Sequence, residues 1–259
     1  MADKKNTLQE YQALPQEELV KRILRAKEEK NATLLVHNYQ RQEIQEIADF
    51  LGDSLGLAIE ATRTDSGLIV FCGVDFMAES AKILNPDKKV LIPDPKAGCP
   101  MAMMVDIDGL KEMKRQHPEA LVVTYVNSTA EAKAESDICC TSSNAVQVVE
   151  SLGDREIIFT PDQNLANYVK KVTGANITPW EGYCYVHNAF TVRDVEEAFR
   201  GHPNAYFIAH PECGMDVLDR ADLVTSTSGM IQWVEENQDV IEERGVIIGT
   251  EVELVKRLQ

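Results

Sequence analysis

No stretch of this chain is apolar for long enough to cross a membrane, and nowhere do lysine and arginine gather into a patch that could track a phosphate backbone. With 42 acidic against 26 basic residues and a formal charge of −16, the sequence excludes nucleic acid as a partner; the acidic surface reads as a solubility feature. The opening run MADKKNTLQEYQALP lacks the apolar core of a secretory signal, so the expected setting is the cytoplasm, with no membrane partner. Neither Gly-x-Gly-x-x-Gly nor Gly-x-x-x-x-Gly-Lys-Ser/Thr occurs, which argues against a nucleotide-binding enzyme. No low-complexity linker divides the chain. Six cysteines (Cys72, Cys99, Cys139, Cys140, Cys184 and Cys213) do not make a disulfide framework in a reducing compartment. They are left as metal ligands or as small buried hydrophobes.

What the chain does have is an internal repeat. Its 259 residues, 44% of them hydrophobic, are enough for more than one compact unit. The segment SDICCTSSNAVQVVE aligns with ADLVTSTSGMIQWVE at a spacing of 85 residues, placing Asp137 on Asp222, Ser143 on Ser228 and Gln147 on Gln232. A weaker third copy, ADFLGDSLGLAIEA, places Asp49 on Asp137. Before each copy lies an apolar strand ending in polar residues: TLLVHNY, ALVVTYVN and AYFIAHPE. After each lies a second strand with a helix behind it: LIVFCGVDFMAESAKIL, EIIFTPDQNLANYVKKV and GVIIGTEVELVKRL. Short apolar strands alternating with amphipathic helices predict an α/β fold. The expected architecture is three pseudo-symmetric α/β domains with short parallel sheets around a central site, the third truncated at its C-terminus. The expected boundaries are a helical lead-in at 1–32 and domains at 33–105, 106–188 and 189–259. The proline-bearing segments Pro93 to Pro100 and around Pro179 read as loops leaving a strand.

In parallel α/β folds, ligands bind beyond the carboxyl ends of the strands. His37, Tyr39, Tyr125, Asn127, His210 and Glu212 follow the first strand of each repeat. The distance from His37 to Ser54, from Tyr125 to Ser142 and from His210 to Thr227 is 17 residues each time. Ser54, Ser142 and Thr227 are expected at helix starts, where a hydroxyl caps free N–H groups and anions are favoured. Each residue taken alone has a plainer reading, as a helix cap, a satisfied histidine or a space-filling tyrosine. The recurrence of polar residues at one spacing is what a duplicated core would not need. Converging on one cavity, these groups suit a substrate with several carboxylates or phosphates.

Cys99, in VLIPDPKAGCP, and Cys184, in ITPWEGYCYVH, also stand 85 residues apart in equivalent loops. Thiolates from such loops could meet near the axis of three domains. Three of them would bind three irons of a [4Fe–4S] cluster and leave the fourth open as a Lewis acid. The same register expects a third cysteine near position 270, beyond Gln259.

The stretches LLVHNYQ, IADFLGDSLGLA, GVDFMAES, ILNPDKKVLIPD, AGCPMA, VVTYVNST, CTSSNAV, TPDQNLANYV, HPEC, STSGM and IGTE run in order from about Thr33 onward. Together they resemble the quinolinate synthase family over nearly the whole chain. That resemblance implies three α/β domains around one site and condensation of iminosuccinate with dihydroxyacetone phosphate, giving quinolinate, phosphate and water in NAD biosynthesis. It also implies functional coupling to L-aspartate oxidase, which supplies the iminosuccinate, and a [4Fe–4S] cluster held by three cysteines, two of them matching Cys99 and Cys184. The substrate contacts carried over by motif are His37, Ser54, Tyr125, Asn127, Ser142, His210, Glu212 and Thr227, and Tyr39 matches an acid–base residue. The chemistry casts Tyr39 and Glu212 as an acid–base pair, with His37 and His210 orienting or shuttling protons. The missing third cysteine supports an alternative: a cluster-deficient, truncated homologue that binds dicarboxylates without turnover. A cluster-free aldolase ranks last, because no lysine stands at the repeated strand ends.

Overall fold

A computed structural model describes residues 8–259; the first seven residues of the expected lead-in lie outside the described residues. The rest of that lead-in forms helices Leu8–Gln12 and Gln16–Lys30. Among the described residues eleven short strands then build three separate sheets, every pairing parallel. In the first, β1 (Ala32–His37), β2 (Phe50–Gly52), β3 (Leu68–Cys72) and β4 (Lys89–Leu91) are ordered β2-β1-β3-β4. In the second, β5 (Leu121–Tyr125), β6 (Ile138–Cys140), β7 (Ile157–Thr160) and β8 (Ile177–Pro179) repeat that order as β6-β5-β7-β8. In the third, β9 (Tyr206–Ala209), β10 (Leu223–Val224) and β11 (Val246–Gly249) are ordered β10-β9-β11. The third sheet thus shows three strands among the described residues.

The aspartates aligned by the repeat explain why the three sheets share one register. Asp49, Asp137 and Asp222 each stand immediately before the second strand of their sheet. Each accepts, through Oδ2 at 2.8 Å, the backbone N–H of Leu34, Val122 or Phe207 in the first strand. Each also donates its own N–H to the carbonyl of that same residue, at 2.9–3.0 Å. This two-way clasp fixes where the second strand starts against the first. A slip of one residue would turn the strand's buried face to solvent, so pinning the start fixes the whole ladder.

The central strands are apolar runs buried on both faces, as parallel sheets covered by helices require. The separate cores are stitched by a few residues. Cys99 packs against the clusters of both the first and second sheets, with Met101 buried in the second and Ala102 in the first. Tyr168 touches the second and third clusters, and Tyr39 reaches from the first sheet into the third.

Two local expectations are corrected. Pro179 does not lie in a loop: it is the last residue of β8. That strand pairs only with β7, and an edge strand tolerates a residue without an N–H. Ser54 and Thr227 do not cap their helices. Asp53 caps helix Ser54–Arg63 by accepting from the Gly56 N–H, and Ser226 caps helix Thr227–Glu236 by accepting from the Gly229 N–H. Ser142 lies three residues before helix Ala145–Ser151. The caps fall one residue earlier because the capping residue must keep an extended backbone, which leaves the next residue inside the first turn.

Candidate active site

The carboxyl ends of all three sheets face one central cavity of about 250 Å³. Its lining includes every residue singled out above: His37, Tyr39, Ser54, Cys99, Tyr125, Asn127, Ser142, Cys184, His210, Glu212 and Thr227. Cys72, Cys139, Cys140 and Cys213 are not in that lining. Because Asp53 and Ser226 do the capping, the hydroxyls of Ser54 and Thr227 are not consumed by their own helix starts. Among the described residues no lysine or arginine lines the cavity, and its ionisable carboxylates are Asp53, Glu212 and Glu251.

At its centre a hydrogen-bonded chain runs between the sheets. The Tyr39 hydroxyl lies 2.9 Å from Thr227 Oγ1 and 3.1 Å from Thr250 Oγ1. Thr250 Oγ1 lies 3.0 Å from His187 Nε2, and His187 Nδ1 lies 2.7 Å from Glu212 Oε2. The His187 and His210 rings stack at 4.4 Å, and His210 Nδ1 is 3.7 Å from the same carboxylate oxygen. His37 stands edge-on to Tyr39 at 4.8 Å and accepts the Tyr39 backbone N–H at its Nδ1. The chain therefore links a phenol to a carboxylate through a hydroxyl and an imidazole.

Burial sets the protonation states. It pushes His37 down to about 4, against the pull of Asp53 and Glu212, and it pushes His210 down to about 3 despite Glu212. Burial alone would raise Glu212, but the imidazoles of His210 and His187 outweigh it and hold the carboxyl low. At neutral pH the buried His37 and His210 imidazoles are therefore uncharged. Burial and the Glu212 charge together push the Tyr39 and Tyr125 phenols well up, so both are proton donors at neutral pH. The same two causes raise Asp162 to about 8. Asp162 is buried and holds the Cys184 loop, accepting the Cys184 N–H at 2.9 Å and capping helix Gln163–Thr173 through the Leu165 N–H.

The two cysteine loops are built alike. Asp75 N–H donates to the Ala97 carbonyl and Gln163 N–H to the Gly182 carbonyl, both at 2.8 Å and both two residues before the cysteine. Gly182 has to be glycine, since a Cβ there would lie 2.4 Å from the Pro161 carbonyl oxygen. Burial raises both thiols, and the charge of Glu212 adds to it in each. Sulfur held neutral in this way becomes thiolate when a cation offsets the neighbouring charge. Cys184, His187 and Glu212 each offer a ligand atom, all within 4.8 Å of one another, which is a candidate metal site. Glu212 Oε1 and Asn127 Oδ1 are buried without a hydrogen-bond partner among the described residues, two acceptors that a ligand could satisfy.

Sequence reasoning missed His187, Thr250, Asp53 and Asp162. All four lie inside motifs read for other residues: His187 is three positions after Cys184, and Thr250 belongs to IGTE. His187 and Thr250 have no counterpart in the other repeats, and Asp53 and Asp162, although they cap helices as Ser226 and Glu251 do, were passed over because the repeat was read at the neighbouring positions.

A cavity at the strand ends of three parallel sheets, with a phenol–imidazole–carboxylate chain and cysteines lining it, places the chain among α/β proteins with an enzyme-like site and a candidate metal site. Residues 21–259 match the family model described as quinolinate synthetase A protein. The chain is 54% identical over 245 residues to quinolinate synthase 1 of Methanosarcina acetivorans, covering 95% of this chain and 79% of that protein. It is 54% identical over 244 residues to the quinolinate synthase of Pyrococcus horikoshii, with 93% and 79% covered. For the quinolinate synthase of Alkaliphilus metalliredigens the figures are 52% over 242 residues, with 93% and 78% covered. The chain belongs to the quinolinate synthetase A family. Among the described residues no helix is long and apolar enough to cross a membrane.

Proposed function

We propose that the chain is a quinolinate synthase of NAD biosynthesis, condensing iminosuccinate with dihydroxyacetone phosphate to quinolinate, phosphate and two waters. Atoms balance without an oxidant or reductant, so the site has to move protons, form the ring and expel phosphate and water. The observation that carries this reading is the unbroken chain Tyr39–Thr250–His187–Glu212 inside the cavity. A phenol that keeps its proton at one end and a carboxylate that has lost its own at the other can give and take protons at separate atoms of one substrate. Thr250 and His187 hold the two ends in register.

The remaining roles follow from position. Ser54, Ser142 and Thr227 present hydroxyls near helix starts to the carboxylates and phosphate, where unpaired N–H groups favour anions. Tyr125 and Asn127 orient the bound acid, and the uncharged His37 and His210 rings orient it through their nitrogens. Cys99 and Cys184 would hold a [4Fe–4S] cluster; half-buried thiols lining the same cavity and the Glu212 carboxylate near Cys184 fit such a group. That cluster would supply Lewis acidity toward substrate oxygens. Coupling to an aspartate-oxidising enzyme would supply iminosuccinate.

Tyr39→Phe and Glu212→Gln are each expected to lower turnover roughly 10²–10⁴-fold. Near-parental quinolinate formation in both would overturn the assignment. A second reading is dicarboxylate binding without turnover, for which the buried, partnerless acceptors Asn127 Oδ1 and Glu212 Oε1 would serve as ligand contacts. Iron and sulfide analysis after anaerobic reconstitution separates the two: about four of each supports the enzyme, and none supports the binder.

A further inference from the structure

Helix Gln163–Thr173 follows β7 as helix Asp75–Leu84 follows β3, and each donates the N–H of its first residue to the carbonyl two positions before a cysteine. Their second residues differ. In the first repeat it is Phe76, part of the apolar core. In the second it is Asn164, also buried. A buried amide costs stability unless its hydrogen bonds are made, so packing alone gives no reason for it where the other repeat holds a phenylalanine. Its bonds do. Asn164 Nδ2 donates to the Glu212 carbonyl and to Asn188 Oδ1, each at 3.0 Å. A carbonyl oxygen only accepts, so the NH₂ end of the amide has to face it, one hydrogen for each acceptor. Glu212 lies in the turn after β9, on the third sheet, and Asn188 is the residue next to His187. One NH₂ group therefore reaches both sides of the His187–Glu212 pair. The Glu212 N–H is held as well, donating to His210 Nδ1 at 3.4 Å. Asn164 itself does not line the central cavity; it stands behind the wall.

We propose that Asn164 is a positioning residue for the acid–base chain, fixing the His187–Glu212 contact by tying the Glu212 main chain and Asn188 to one helix start. The proposal rests on the reading of His187 and Glu212 as members of that chain. His187 Nδ1 has two neighbours, Glu212 Oε2 at 2.7 Å and Cys184 Sγ at 3.2 Å. Which of them it bonds depends on where the carboxylate sits, and a side chain is aimed by its own backbone. With the Glu212 carbonyl released, the carboxylate can draw back and leave the ring to the sulfur. With it clasped, the carboxylate stays at the shorter distance. The same helix start holds the Cys184 loop through Asp162, so one turn of helix sets the competing sulfur and carboxylate against each other.

Positioning and mere support leave different signatures. Asn164→Ala removes both bonds. Asn188→Ala, at an exposed position, removes one of them without touching the core, and decides the matter should the first variant not fold. Asn167→Ala, half-buried on the same helix, is the control. In quinolinate formation by the full chain after anaerobic reconstitution, Asn164→Ala is expected to lower kcat about 10–100-fold with KM within about threefold, and Asn188→Ala to lower kcat about threefold. Asn167→Ala is expected to keep both constants. The second readout needs no turnover. In proton–nitrogen spectra of the full chain labelled at its histidine rings, the His187 Nδ1 resonance, assigned by its loss in His187→Gln, is expected to move in Asn164→Ala and Asn188→Ala and to stay in Asn167→Ala. Parental kcat in the first two variants overturns the proposal. A fallen kcat with an unmoved His187 resonance does so as well, since it marks support of the fold alone, and so does an equal movement in Asn167→Ala. A parent chain that forms no quinolinate overturns the functional reading instead, and the resonance then decides the clasp by itself.

Discussion

Asp137 gives the most direct test of how the repeat builds the fold. Its carboxylate accepts the N–H of Val122, a fully buried strand residue, at 2.8 Å. Removing the side chain in Asp137→Ala strands that donor. A net hydrogen bond to a charged acceptor contributes roughly 1.5–3 kcal/mol. Asp137 itself is exposed, so water recovers part of the loss, and we expect about 1–2 kcal/mol of destabilisation. For a chain of this length that lowers Tm by roughly 2–8 °C. Asp137→Asn keeps an acceptor oxygen and is expected to lose less than half as much. Asp222→Ala, with the same contact to Phe207, is expected to match Asp137→Ala within about 0.5 kcal/mol. Asp49→Ala should cost slightly more, because Asp49 also pairs with Lys27 at 2.6 Å. Urea unfolding followed by circular dichroism reads all four variants. A loss below about 0.3 kcal/mol in both Asp137→Ala and Asp222→Ala would refute the claim that the clasp fixes the register.

Two further predictions concern the cysteine wall. Asp162 is raised from 3.8 to about 8, so between those values the folded chain keeps a proton that the unfolded chain has released, and folding loses stability as pH rises. Asp162→Asn removes that penalty; its stability relative to the parent should climb from about pH 4 to about pH 8 in a series of urea titrations, and a flat difference would contradict the assignment. Gly182→Ala drives a Cβ against the Pro161 carbonyl and should cost roughly 1–3 kcal/mol. It should also lower iron uptake on reconstitution by displacing the Cys184 loop; parental stability and iron content together would show that the loop tolerates the shift.

The three-sheet architecture was legible because duplicated features survive as spacing. Asp49, Asp137 and Asp222 recur and do the same physical work, and the polar strand ends recur and reach one cavity. The helix caps were misplaced by one residue, since a serine beside an aspartate gives no local sign of which takes the extended conformation. Pro179 looked like a loop because sequence does not say which strand lies at an edge. His187, Thr250, Asp53 and Asp162 stayed hidden for a different reason. Their partners are Glu212, Tyr39, Ser228 and the Cys184 loop, contacts made once between elements with no period to betray them.

The bond between Tyr39 and Thr250 joins residues 211 positions apart. Each sheet, by contrast, is built from one continuous segment of the chain. In folding time this separates scaffold from function: local sheets can form early, whereas closing a loop of that length must wait until the first and third have docked. A nascent chain therefore has no half-built active site to misuse. The acid–base chain is absent until docking and complete after it, so the appearance of the Tyr39–Thr250 contact marks the step at which a folded polypeptide becomes a competent site.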